Sequence, residues 1–202
     1  MSEPRVCLLI DYQNIHLTAR DVFAPPGTTA KATLIHPSDF ASQVMATRQQ
    51  AQRDPYQQTA ELAKVLVYRG APSNRREPRG YAATQSQRAW WTRDPLVEVH
   101  YRTLRYPQHW PHEPAREKGI DVLLAVSLVR FAGSGQCDVL VLATHDTDLE
   151  PALEMATELA RVQIETAGWR GAKRLRIPGR SLWHTALDSP SFMAARDRRH
   201  YG

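Results

Sequence analysis

Acidic residues stand next to apolar runs in three separate parts of the sequence. Asp11 directly follows the apolar run at residues 6–10, and Asp121 lies at the start of another. Asp146 and Asp148 follow a third run of strand character. Four carboxylates gathered at one place repel one another unless a cation lies between them. All-oxygen sites suit Mg²⁺ or Mn²⁺, and such a site supports metal-assisted hydrolysis of a phosphodiester bond.

Each of these carboxylates also has a purely structural interpretation. Asp11 could cap a helix that follows a strand, and Asp148 stands three residues before Pro151, where an N-cap is expected. Asp121 could complement the positive end of its helix dipole. Capping accounts for each residue alone, but not for their gathering at one place.

The hydrophobic pattern predicts strands and helices in alternation. Strands are expected at residues 6–10, 63–70, 96–106, 138–144 and 162–169. Helices are expected at 11–20, 38–52, 84–91, 120–132 and 149–161, the second with Ser38 or Asp39 near its N-cap, and one more short element near the C-terminus. This order predicts an α/β fold with a mostly parallel sheet flanked by helices. In such a sheet ligands bind at the carboxyl ends of the strands, near the reversal of strand order, where the four acids should meet.

The length of 202 residues predicts one domain over residues 1–202. Residues 24–58 form a possible helical insertion that covers the pocket or mediates self-association, and residues 171–202 a basic C-terminal extension. The apolar runs are too short for a membrane span or a signal segment, so we expect a cytoplasmic protein that does not enter a membrane. Cys7 and Cys137 lie in apolar runs, which favours buried free thiols over a disulfide.

The net charge is +5, from 26 Lys and Arg against 21 Asp and Glu, and only four of the 26 are Lys. An arginine-rich surface suits a phosphate-bearing partner. A GC-rich genome would give the same bias without functional meaning, so composition alone decides nothing.

Three blocks of sequence resemble the NYN domain, a branch of the PIN-like nucleases. The matching residues are Asp11 and Asn14 in LLIDYQNIH, Lys118, Gly119 and Asp121 in EKGIDVLLAVSLV, and Thr144, Asp146, Asp148 and Leu149 in VLATHDTDLEPAL. The resemblance spans roughly residues 5 to 170. It implies a three-layer PIN-like (Rossmann-like) fold and a metal-dependent endoribonuclease, typically bacterial for a compact single domain, with RNA as partner.

The resemblance also implies roles for individual residues. Mg²⁺ or Mn²⁺ would be held by Asp11, Asp121, Asp146 and Asp148. Asn14 would position a ligand, a water or the scissile phosphate, and Thr144 would support its turn and border the substrate. Ser127 stands where many members carry a further Asp, which predicts weaker metal binding; Leu149 replaces the usual Phe. The Ser127 departure leaves open a non-catalytic RNA- or protein-binding regulatory module.

Basic and aromatic residues near the acids are candidates for holding RNA. Arg75, Arg76 and Arg79 follow the second strand, Lys118 precedes the helix predicted at 120–132, and Trp90 and Trp91 could stack on bases. The alternative for the two tryptophans is that one packs in the core and the other is half exposed. His145 is a weaker candidate for substrate contact. A phosphatase or a DNA nuclease is disfavoured, since an Asp-x-Asp nucleophile motif would need an acid at Gln13.

Overall fold

The computed structural model describes residues 3–51 and 59–201. In these ranges six strands form one sheet: β1 Arg5–Asp11, β2 Glu61–Ala71, β3 Val97–Thr103, β4 Val139–Ala143, β5 Gln163–Trp169 and β6 Trp183–Leu187. Their order is β3-β2-β1-β4-β5-β6, and every neighbouring pair is parallel. The predicted parallel α/β sheet is therefore confirmed, with a sixth strand added from the C-terminal segment.

Helices cover both faces of the sheet. They are α1 Tyr12–Phe23, α2 Pro37–Ala51, α3 Pro78–Trp91, α4 Ile120–Ser134, α5 Glu150–Leu159 and α6 Ser189–Ala195, with 3₁₀ turns at Ala30–Thr33 and Thr147–Leu149. Successive residues of β1 point to opposite faces, so Leu8 packs against one helical layer and Leu9 against the other. The first layer contains α1, α2, α3 and α6; the second contains α4 and α5. Three layers result, as the resemblance implied.

The strand order reverses at β1, which lies between β2 and β4. Ile10, next to the last residue of β1, pairs with Ala143, the last residue of β4. Asp11 and the turn after β4 therefore lie side by side at the carboxyl edge. This is the position at which parallel sheets bind ligands.

The helix α2 is fixed to the sheet by a buried ion pair. Arg48 donates through Nε and Nη2 to the two carboxylate oxygens of Glu165 on β5, at 2.8 and 2.7 Å, and both side chains are buried. The described part of the 24–58 segment thus packs on a sheet face and contributes no lining to the pocket described below. Self-association remains a prediction, and residues 52–58, including the predicted helix end at Gln52, lie outside the described ranges.

Several predicted boundaries differ from the structure. Helix α2 begins at Pro37, so Ser38 and Asp39 lie inside its first turn, and Ser38 Oγ donates instead to Asp94. Helix α3 begins at residue 78 rather than 84, and β3 ends at residue 103 rather than 106 because Arg105 pairs antiparallel with Arg116. The C-terminal segment supplies two elements, β6 and α6, where one was predicted.

The two cysteines, Cys7 and Cys137, are buried and free, as predicted. Over the ranges that the structure describes, no helix is both long and apolar enough to cross a bilayer.

Candidate functional site

Three carboxylates meet at the carboxyl edge of the sheet. Asp11 ends β1, Asp121 lies in the first turn of α4, and Asp146 lies in the turn after β4. Each offers one oxygen, and these oxygens all lie within 4.8 Å of one another. Asp11 is only 3% exposed, Asp146 is half-buried and Asp121 is exposed. The group therefore has one buried carboxylate, that of Asp11, at the base of the pocket, and two carboxylates that solvent can reach.

Hydrogen bonds fix the orientation of the deepest carboxylate. Thr144 Oγ1 donates to Asp11 Oδ2 at 2.9 Å, and the backbone N–H of Asn14 donates to Asp11 Oδ1 at 3.4 Å. Thr144 Oγ1 also accepts the backbone N–H of Asp146 at 3.0 Å. Thr144 is fully buried, so it supports the turn as expected, but it does not face a substrate as was also predicted.

The electrostatics of the group favour a cation. Burial, followed by the nearby charges of Asp121 and Glu117, raises the pKa of Asp11 to about 7, despite the opposing hydrogen bond from Thr144. Partial burial, with the charges of Asp146 and Asp148, raises the pKa of Asp121. A divalent cation between these oxygens would offset both burial and repulsion.

The pocket that contains the group has a volume of about 310 Å³ and is open to solvent. It is lined by Asp11, Gln13, Asn14, Leu17, Thr18, Asp21, Glu117, Asp121 and Asp146. Thus one face of α1, from Gln13 to Asp21, forms one wall, and the segment leading into α4 forms another.

Asp148 differs from the other three predicted ligands. It is exposed, and its backbone N–H donates to Asp146 Oδ1 at 3.0 Å. Asp146, not Asp148, therefore has the capping role, at the 3₁₀ turn Thr147–Leu149. The oxygen group found among the described residues does not include Asp148, although its charge acts on Asp121. Leu149 packs in the core.

Glu117 was not predicted as a site residue. Its carboxylate lines the pocket and accepts a hydrogen bond from the backbone N–H of Gly70. Burial raises the pKa of Glu117, and the charge of Asp121 adds to this effect. The signal in the sequence was its place in the EKGID block, where Lys118, Gly119 and Asp121 were singled out but Glu117 was not.

Asn14 and His145 connect the two sides of the site. The His145 backbone N–H donates to Asn14 Oδ1 at 2.7 Å. His145 is 8% exposed. Its Nδ1 lies 2.7 Å from the Lys173 carbonyl oxygen, and its Nε2 accepts a hydrogen bond from the backbone N–H of Trp169 at 3.0 Å. The ring thus points to the end of β5, against the backbone of Gly168, where a Cβ would lie 2.4 Å from Cε1. The suggestion that His145 contacts substrate is not supported by this orientation.

Ser127 does not lie among the clustered oxygens. It is on α4, 7% exposed and next to the Tyr68 side chain, and it does not line the pocket. Ser127 therefore leaves the oxygens of Asp11, Asp121 and Asp146 in place.

The predicted basic residues lie at the expected edge. Arg75 and Arg76 are exposed on the segment between β2 and α3, Arg79 is exposed at the start of α3, and Lys118 is exposed beside Glu117. Their positions at the carboxyl side of the sheet leave the side chains accessible to an anionic polymer.

The two tryptophans do not offer a free stacking surface. Trp91 is fully buried and its Nε1 donates to Asp197 Oδ2 at 2.9 Å, so base stacking was the wrong prediction for it. Trp90 is partly buried, and the guanidinium carbons of Arg93 and Arg199 lie 4.6 and 4.0 Å from its ring centroid. This matches the alternative of one core and one half-exposed tryptophan.

Comparisons with known proteins agree with this architecture. A solved structure, the crystal structure of a protein of unknown function VPA0982 from Vibrio parahaemolyticus RIMD 2210633, is similar to the chain with a TM-score of 0.55. The two are 14% identical, the similarity covers 92% of this chain and 94% of that one, and it shows the fold alone. No curated protein matched. The NYN domain matches residues 5–175. The chain therefore belongs to the NYN domain family, a group of PIN-like nuclease-type domains.

Proposed function

We propose that this protein is an Mg²⁺- or Mn²⁺-dependent endoribonuclease, with the cation held by Asp11, Asp121 and Asp146. The observation that carries the proposal is the meeting of three carboxylate oxygens within 4.8 Å in an open pocket of an NYN-family chain. The donor set fits these cations because it consists of carboxylate oxygens only. When bound, the cation supplies a Lewis acid that polarises phosphoryl oxygens and lowers the pKa of coordinated water.

The residues around the carboxylates orient the Asp11 side chain and leave a hydrogen-bond donor for a phosphodiester. Thr144 and the Asn14 backbone hold the carboxylate of Asp11 in one orientation. The Asn14 side-chain oxygen is engaged by the His145 N–H, which leaves the amide NH₂ to donate to a phosphate oxygen. Asn14 is thus suited to positioning the scissile phosphate.

The proposal is tested by cleavage of a labelled RNA with added Mn²⁺, compared between the wild type and Asp146→Asn. We expect metal-dependent internal cleavage by the wild type, abolished by EDTA and by the substitution. Asp148→Asn is the matched control, two residues away, and should retain most of the activity. Equal cleavage by wild type and Asp146→Asn would contradict the proposal.

The alternative of a non-catalytic binding module rested on Ser127. Ser127 does not line the pocket that contains the three carboxylates, so the missing charge at this position supports that alternative only indirectly. Tight Mn²⁺ binding without cleavage of any RNA would still indicate a regulatory module.

A further inference from the structure

The connection between β5 and β6 is an extended basic segment. Residues 170–180 cross back to a parallel strand without a helix. Their basic side chains are all exposed: Arg170, Lys173, Arg174, Arg176 and Arg180. No acidic residue occurs between residues 170 and 187. The segment therefore concentrates positive charge that no neighbour in sequence neutralises.

The first part of this segment is fixed beside the acidic pocket. The Lys173 carbonyl oxygen lies 2.7 Å from His145 Nδ1, and the backbone N–H of Arg176 donates to Glu150 Oε1 at 2.9 Å. The Lys173 ammonium lies 3.4 Å from the Thr147 hydroxyl, one residue from Asp146. The chain is thus held at the turn that carries one of the clustered carboxylates.

Burial alternates along the same stretch. Leu175 and Ile177 are 4% and 5% exposed and pack in the core of the α4–α5 layer, whereas Arg174 and Arg176 are exposed. The apolar side chains anchor the backbone and leave the guanidinium groups on the outside. Because the backbone is already ordered, only side-chain rotamer entropy remains to be lost when these groups bind an anion.

Exposed basic residues lie on both sides of the pocket. We define the first basic arm as Arg75, Arg76, Arg79, Arg102, Arg105, Arg116 and Lys118, all exposed, and the second basic arm as Arg170, Lys173, Arg174 and Arg176. The first arm lies between the end of β2 and the start of α4, and the second follows β5. In the sheet, Asp11 at the end of β1 and Asp146 after β4 lie between the two arms. Three strand spacings separate β2 from β5, about 14 Å. The pocket therefore lies between two basic surfaces along the sheet edge.

We propose that the second basic arm binds single-stranded RNA and, together with the first, guides the strand across the acidic pocket. This inference rests on the proposed ribonuclease function and adds a polymer-binding surface to it. A single strand is favoured because Asp11 lies at the buried floor of the pocket. A flexible strand can lower one phosphate toward that floor, whereas a duplex is stiff over many base pairs.

The test is fluorescence anisotropy with a labelled, unstructured 20-nucleotide RNA and the full chain in EDTA, so that binding is measured without cleavage. The variant is Lys173→Gln/Arg176→Gln, in which the anchoring backbone groups are unchanged. The matched control is Arg130→Gln/Arg161→Gln, two exposed arginines on α4 and before β5, away from the carboxyl edge. Both variants lose two positive charges.

We expect the arm variant to bind about tenfold more weakly near 0.1 M salt and to lose roughly 1.4 from the log–log salt slope, about 0.7 for each phosphate contact. The control should change affinity less than about twofold, since it touches no phosphate. Equal weakening by both variants, or none by the arm variant, overturns the proposal, as does equal competition by duplex RNA. If the double variant unfolds, Arg176→Gln alone is measured. Retained arm-dependent binding without any metal-dependent cleavage would contradict the ribonuclease function but not the arm.

Discussion

The hydroxyl of Thr144 donates to Asp11 Oδ2 at 2.9 Å, across the two strands at which the sheet order reverses. The same hydroxyl accepts the Asp146 N–H, so one buried side chain sets the relative position of two carboxylates. The relative position of these two carboxylates therefore depends on a residue that is fully buried.

Removing this hydroxyl should weaken both folding and metal binding. Thr144→Val keeps the shape but leaves a buried carboxylate oxygen and an N–H without their partner, which costs about 1–3 kcal/mol of unfolding free energy. Urea denaturation and calorimetric titration with Mn²⁺ measure the two effects. Thr144→Ser retains the hydroxyl and should keep most of the Mn²⁺ affinity; equal losses in both variants would contradict the role of the hydroxyl.

Asp146 and Asp148 should differ in metal affinity although they are two residues apart. Asp146→Asn removes a charge from the oxygen group and should weaken Mn²⁺ binding by at least about tenfold. Asp148→Asn changes an exposed side chain outside the group and should have only a small effect. Calorimetry on the two variants decides the point, and a larger loss in Asp148→Asn would show that the group is wrongly assigned.

Gly168 should not tolerate a methyl group. In Gly168→Ala the new Cβ would lie 2.4 Å from His145 Cε1, so the ring or the end of β5 must move, at about 1–3 kcal/mol. His145 is adjacent to Asp146, and the His145 backbone N–H donates to the Asn14 side chain, so RNA cleavage should fall as well. Gly133→Ala in α4 meets no atom within 4 Å and should stabilise the helix by about 1 kcal/mol. Thermal melting should give opposite signs for the two variants.

His16 should make stability depend on pH. Its Nε2 lies 2.8 Å from the Ala30 carbonyl, and burial lowers its pKa to about 4. A histidine whose folded pKa lies below the unfolded value of about 6.5 stabilises the fold fully above pH 6.5 and loses that contribution as the pH falls toward 4. The loss is on the order of 3 kcal/mol at most.

The measurement is the urea midpoint of wild type and His16→Gln between pH 7.5 and 4.5. The wild type should lose more stability than the variant over this range. His184, whose pKa burial also lowers to about 4, remains in both proteins, so only the difference reports on His16. Parallel pH profiles would contradict the assignment.

The sheet and the meeting of three of the four predicted carboxylates followed from local patterns. Asp11 and Asp146 come directly after buried strands, and parallel strands bring their carboxyl ends to one edge. Asp148 could not be separated from Asp146 because a single 3₁₀ turn decides which side chain faces inward. Such a turn leaves no periodic signal in the sequence.

Glu117 was missed, and Trp91 was not identified as the buried one of the two tryptophans, for a different reason, since their environments come from distant parts of the chain. Trp91 is buried under the C-terminal segment, which supplies Asp197 as its partner, and adjacent tryptophans give no sign of which one is covered. Glu117, in the segment before α4, is held by the backbone N–H of Gly70 on β2. Contacts of this kind become visible only once the order of the strands is known.

The most direct test of the central claim is a crystal structure of the protein soaked in Mn²⁺, with anomalous diffraction data. We expect an anomalous peak among the carboxylate oxygens of Asp11, Asp121 and Asp146, absent in crystals of Asp146→Asn. No peak at millimolar Mn²⁺, or a peak held by other residues, would contradict it.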